Sequence, residues 1–125
     1  MNNKTSASDL QAQIDKIGPW WEDIDFGPGI KTGAGRNKKI LWRDYLSASI
    51  RPDEFRGQSV LDMGCNAGGN LLELSKQFPS RLVGIDAQPQ FLAQAQFVKA
   101  HLVWTARSIN TSLPQPRDGP TMGVN

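Results

Sequence analysis

Val60-Leu61-Asp62-Met63-Gly64-Cys65-Asn66-Ala67-Gly68-Gly69-Asn70 stands near the middle of the chain, and Leu82-Val83-Gly84-Ile85-Asp86 follows one short helical pattern later. Ser59 to Met63 is a short apolar run, as expected of a strand buried on both faces. Gly64 permits a tight turn, and Gly68 and Gly69 let backbone and ligand approach closely. From Asn70 a helix is expected, with Leu71, Leu74, Ser75 and Phe78 inward and Glu73, Lys76 and Gln77 outward. Pro79 stops it. Arg81 to Ile85 reads as a second strand and Asp86 as its last residue. Strand, glycine turn, helix and strand make a βαβ unit, and open α/β sheets bind ligands at the carboxyl ends of their strands. Asp62 sits near one such end. Asp86 tips the other, where a carboxylate can accept both hydroxyls of a ribose. Its separation from the glycine turn is about the twenty residues expected of a nucleotide-binding motif.

Beyond Asp86 the sequence Ala87-Gln88-Pro89 opens another helix, with Pro89 suited to the first helical position. Phe91, Ala95, Val98 and Leu102 are expected on its buried face. Gln88, next to the acid, is placed to touch an adenine or ribose. Cys65 lies in the turn with no partner base nearby, so a packed thiol is favoured over a nucleophile. His101, the one histidine, ends a helix, where it complements the helix charge. No cysteine–histidine cluster points to a metal.

Upstream, Met1 to Ala7 reads as disordered. Ser8-Asp9-Leu10-Gln11 has the form of a capping box, and Leu10, Ile14 and Ile17 then share one helical face. Gly18-Pro19 ends that helix. Trp20 and Trp21 suit either a pocket cover or a plug for a small core, the latter favoured. The acids Glu22, Asp23 and Asp25 argue against this stretch gripping phosphates. Lys31, Arg36, Lys38, Lys39 and Arg43 form a basic, glycine-bearing segment without an acid. That composition suits RNA, against the plainer alternative of a solvated loop. From Lys39 a helix is expected, with Leu41, Tyr45 and Ala48 on one face and Trp42, Leu46 and Ile50 beside it, covering the sheet. Arg51-Pro52 ends it.

The chain as a whole sets bounds. Its 125 residues allow one domain at most, and its net charge of +2 neither demands nor excludes nucleic acid. A single cysteine rules out an internal disulfide and suits a reducing cytosol. The polar start lacks a signal-peptide core, and no apolar run is long enough to span a bilayer. We therefore expect a cytoplasmic protein without a membrane segment.

Asp62-Met63-Gly64-Cys65-Asn66-Ala67-Gly68 resembles motif I of class I S-adenosylmethionine-dependent methyltransferases, written acid-x-Gly-x-Gly-x-Gly. Val83-Gly84-Ile85-Asp86 resembles the next motif, whose acid binds the ribose. The Cys-Asn-Ala-Gly variant is similar to a subgroup related to tRNA wobble-uridine modification. The resemblance covers roughly Trp20 to Leu102. It implies an α/β, Rossmann-like methyltransferase fold with a parallel sheet, incomplete here, and N-terminal helices. It also implies S-adenosyl-L-methionine as cofactor, held by Asp62, Gly64, Cys65, Asn66, Gly68, Asp86 and Gln88. Asn66 departs from the family pattern, which has glycine there. A dinucleotide site would want that glycine for a pyrophosphate, whereas a sulfonium cofactor carries no phosphate. A nicotinamide or flavin fragment, a cofactor- or RNA-binding remnant without catalysis, and a plain βα turn are the alternatives.

The expected organisation is a tail and helix over 1–18, an aromatic and basic segment with its helix over 19–58, a partial cofactor domain over 59–106, and a disordered tail over 107–125. Val103-Trp104-Thr105-Ala106 has the character of a third strand's start, and the prolines and glycines after Ser108 carry little apolar pattern. We expect a truncated or frame-disrupted copy whose family likeness ends near His101. Neither the methyl acceptor nor a catalytic base is assignable from the residues.

Overall fold

The structure is a computed structural model that describes residues 5–33, 51 and 53–102 and the backbone of 122–124. Arg36, Lys38, Lys39, Arg43, the helix expected from Lys39 to Ile50 and the strand expected at 103–106 lie outside the described residues.

Helix α1 spans Ala7–Lys16. Its cap is Ser6, whose hydroxyl accepts the Asp9 N–H at 3.1 Å. The expected box at Ser8 and Gln11 is thus set two residues too late, and Ala7, expected to be disordered, is the first residue of the helix. Ser-x-x-Asp offers the same chemistry as Ser-x-x-Gln and lets the helix begin one half-turn sooner. Gln11 is free for another task. Its amide donates to the Lys31 carbonyl and accepts the Lys31 N–H, at 2.9 and 3.0 Å.

Strand β1 covers Ser59–Met63, helix α2 Gly69–Ser75, strand β2 Arg81–Asp86 and helix α3 Pro89–His101. β1 and β2 pair in parallel, Asp62 beside Gly84 and Met63 beside Ile85. The expected βαβ unit is present. A third strand, β3 at Met122–Val124, pairs with β2 antiparallel. It falls inside the stretch expected to be disordered, and it makes the described sheet mixed rather than purely parallel, in the order β1-β2-β3.

Two clusters form the core. Cys65, Leu71, Leu74, Leu82, Leu92 and Ala95 fill the space between one sheet face and the two helices. Ile14, Trp20, Ile24, Ala67 and Val98 join the N-terminal segment to the glycine turn and α3. Trp20 is the plug, its indole N–H donating to the Ile14 carbonyl at 2.9 Å, while Trp21 is half-exposed.

Three burial expectations change. Leu61 is 57% and Met63 74% exposed, so among the described residues β1 is covered on one face only. Phe78 is also exposed, because α2 ends at Ser75 and Phe78 takes a left-handed φ of 55° that turns it out of the helical face. On α3 the buried set is Leu92, Gln94, Ala95 and Val98, with Phe91 and Leu102 half-buried. Gln94 is inward because it has polar work there. Its amide donates to the carbonyls of Ile17 and Pro19 at 2.8 and 2.9 Å, capping the bend that ends α1.

Candidate functional site

The site is built at the carboxyl ends of β1 and β2. Alternation along the paired strands places Val60 and Asp62 beside Leu82 and Gly84 on the covered face, and Asp86 continues that row. Between the strands runs the turn. Gly64 and Asn66 adopt φ of 78° and 51°, and Gly68 one of 84°, so the chain coils through left-handed geometry three times in five residues. Asn66 is the non-glycine among them. Its own side chain carries the conformation, accepting the Ala67 N–H at 2.7 Å, as asparagine does in tight turns. The glycine missing from motif I is therefore replaced by a residue that tolerates the same backbone.

Asp86 closes the turn onto β2. One carboxylate oxygen accepts the Asn66 N–H at 2.9 Å and the other the Gln88 N–H at 2.8 Å. Gly64 and Cys65 both donate backbone N–H groups to the Ile85 carbonyl, at 2.8 and 2.9 Å. The two ends predicted to cooperate are thus bonded to each other. A Cβ on Gly64 would meet nothing within 4 Å among the described residues, which leave the mouth of the turn open.

Asp62 lies half-buried below that mouth, and its Oδ2 is buried without a hydrogen-bond partner among the described residues. Burial, then the nearby Asp86 charge, pushes its carboxyl above the ordinary range. A buried acceptor left open in this way fits a ligand that brings its own donor. Cys65 lies among the same acids. It is buried against Gly84, and burial followed by the acids around it pushes its thiol up to about 12. It contributes backbone and packing rather than a nucleophile. Gln88 is exposed and serves as the N-cap residue of α3, with no side-chain capping bond. His101 is exposed at the end of α3, where a ring nitrogen meets the Phe97 carbonyl at 2.9 Å and the ring stacks on Phe97.

The sequence reading missed Glu22. Its Oε2 accepts the Gly69 N–H at 2.8 Å, bringing a third acid to the turn from far upstream. Desolvation by burial is the main reason its carboxyl is raised to about 7, with the Asp62 and Asp86 charges adding to it. Its backbone is fixed as well. The Thr32 hydroxyl donates to the Glu22 carbonyl and accepts the Ile24 N–H, both at 2.8 Å. The one local signal was its place between two core residues, Trp20 and Ile24, which draw the intervening chain against the fold. Lys31 of the basic segment is exposed and lies at the far end of this clip. Among the described residues no group of three or more His, Cys, Asp or Glu side chains is arranged to hold a metal ion, and no helix is long and apolar enough to cross a membrane.

A parallel βαβ unit with acids gathered around a left-handed glycine turn is the α/β, Rossmann-like arrangement, and the proteins this chain resembles are methyltransferases. Over 48 residues it is 40% identical to the 7SK snRNA methylphosphate capping enzyme of Mus musculus, covering 38% of this chain and 7% of that protein. Over 71 residues it is 32% identical to the U6 snRNA methylphosphate capping enzyme Amus of Drosophila melanogaster, covering 52% and 24%. Over 87 residues it is 31% identical to the ribosomal protein L11 methyltransferase of Burkholderia cenocepacia, covering 62% and 28%. The chain thus spans less than a third of the length of each of these relatives. No family model matches it, and no solved structure matches it.

Proposed function

We propose that the chain is the cofactor-binding portion of a class I methyltransferase that uses S-adenosyl-L-methionine and modifies RNA. The observation that carries this reading is the open acceptor at Asp62 Oδ2, buried below a glycine turn whose far side is held by Asp86. Such an acceptor suits the ammonium of an amino-acid end. Each Asp86 oxygen accepts one backbone N–H and keeps a second acceptor position, which suits ribose hydroxyls. Gly64, Asn66 and Gly68 shape the turn against the nucleoside, and Cys65 lends its backbone. When bound, the cofactor supplies a sulfonium methyl for in-line displacement. The chain's contribution to such chemistry is alignment and exclusion of water.

RNA as acceptor is supported by the basic run of Lys31, Arg36, Lys38 and Lys39 and by the two relatives whose names refer to small nuclear RNA. Calorimetric titration with S-adenosylmethionine tests the cofactor assignment. Asp86→Ala is expected to weaken binding at least about tenfold, the loss of roughly one charge-assisted hydrogen bond. Asp62→Asn, which keeps the shape and removes the charge, is expected to weaken it comparably. Unchanged affinity in both variants, with circular dichroism showing them folded, defeats the assignment. Transfer of a radiolabelled methyl group to bulk tRNA and small nuclear RNA, compared with small-molecule acceptors, tests the substrate class.

A further inference from the structure

We propose that Glu22 sets the cofactor class of this site, by holding a carboxylate on the first backbone N–H of the crossover helix, where a dinucleotide would place its pyrophosphate. The inference rests on the methyltransferase reading of the turn and deepens it. In dinucleotide-binding βαβ units the phosphates lie against the N–H groups that open the helix after the glycine turn. Here that position is taken. Glu22 Oε2 accepts the Gly69 N–H, and a Cβ on Gly69 would lie 2.6 Å from the same oxygen, so the carboxylate sits directly on the backbone.

The acid is held there rather than swinging freely. Gln11 clamps Lys31, and Thr32 ties both the Glu22 carbonyl and the Ile24 N–H, so α1 and the 20–33 loop present Glu22 to the turn as one unit. The Asp62 and Asp86 charges lie close enough to add to the burial that raises the proton affinity of Glu22, and the Asp86 charge adds to the burial that raises that of Asp62. Three carboxylates repel a pyrophosphate and attract a cation. The unpartnered Asp62 oxygen independently calls for a donor-bearing, positive ligand. An adenosyl sulfonium with its ammonium satisfies both demands, whereas NAD or FAD brings a pyrophosphate that the carboxylates repel.

Calorimetry on wild type and Glu22→Gln, with S-adenosylmethionine, neutral 5′-methylthioadenosine and ADP-ribose as probes, tests the assignment. Glutamine keeps an acceptor for Gly69 and removes the charge. We expect S-adenosylmethionine to bind roughly tenfold more weakly to the variant and ADP-ribose more tightly, with methylthioadenosine unchanged. A second readout needs no variant. Asp62 on β1, Asp86 on β2 and the Cys65 thiol face Glu22, and the thiol stays protonated up to about 12. With Glu22 titrating at about 7, wild-type affinity for S-adenosylmethionine should rise with pH through that region, while that for methylthioadenosine stays flat. If Glu22→Gln does not fold, this profile decides. Wild type that binds S-adenosylmethionine with a flat profile, or a folded variant with unchanged discrimination, overturns the inference and leaves the methyltransferase reading standing. Wild type that does not bind S-adenosylmethionine overturns both.

Discussion

At the scale of the residue, Glu22 joins ligand preference to a cost in stability. Its carboxyl is raised from 4.5 to about 7, chiefly by desolvation. Between those two values the folded chain holds a proton that the unfolded chain has released. Stability therefore falls as pH rises through that window and levels off above it. Glu22→Gln should remove the penalty. We expect the variant to be more stable than wild type near pH 8, by at most roughly 3 kcal/mol, and nearly equal to it near pH 4. Urea melts at the two pH values check this, and equal midpoints near pH 8 would show that the buried charge costs nothing. An acid kept against its stability cost is what a ligand site looks like. The placement of Asp62, Gly64, Gly68 and Asp86 around one turn was legible because they lie in two short runs with fixed spacing. Glu22 was not, because the link between it and Gly69 spans 47 residues and only the folded chain creates it.

At the scale of the element, β2 is fixed by a glycine that makes no turn. A Cβ at Gly84 would lie 2.5 Å from Leu71 Cδ1, 2.8 Å from Cys65 Sγ and 2.9 Å from Cys65 Cβ. The turn thiol and the first inward leucine of α2 both press on bare strand backbone there. Gly84→Ala should cost about 3 kcal/mol through overpacking, since Cys65 and Leu71 are both buried and have nowhere to go. Thermal denaturation followed by circular dichroism measures it, and a wild-type midpoint would show that the contact yields. β1, β2 and the two later helices were readable from apolar runs, Pro89 and the break at Pro79, whereas β3 was not, because Met122–Val124 follows a proline- and glycine-rich stretch with little apolar pattern. Faces were less so. Periodicity put Phe78 inside although its backbone leaves the helix before it, and it ranked Phe91 above Gln94 because it weighs only apolar character. The carbonyls of Ile17 and Pro19, which require the Gln94 amide, are invisible to a pattern along one helix.

At the scale of the molecule, the two core clusters divide the work. One welds the helices to the sheet, and the other fastens the N-terminal segment over the turn, so that Glu22 arrives with Ile24 and Trp20 as its anchors. The covered and uncovered faces of the sheet follow from the same alternation that lines up Asp62 and Gly84. Leu61 and Met63 project from the opposite side, next to Val83 and Ile85 in register. β1 is also an edge of the described sheet. Among the described residues, oily side chains and an open rim fall on one ribbon, a combination that favours clinging of like to like. Sedimentation across a dilution series should show mass growing with concentration, and a Leu61→Lys, Met63→Lys double variant should stay monodisperse over the same range. How much of the chain remains usable in a test tube is thus decided by two water-facing side chains on the back of the strand that carries Asp62.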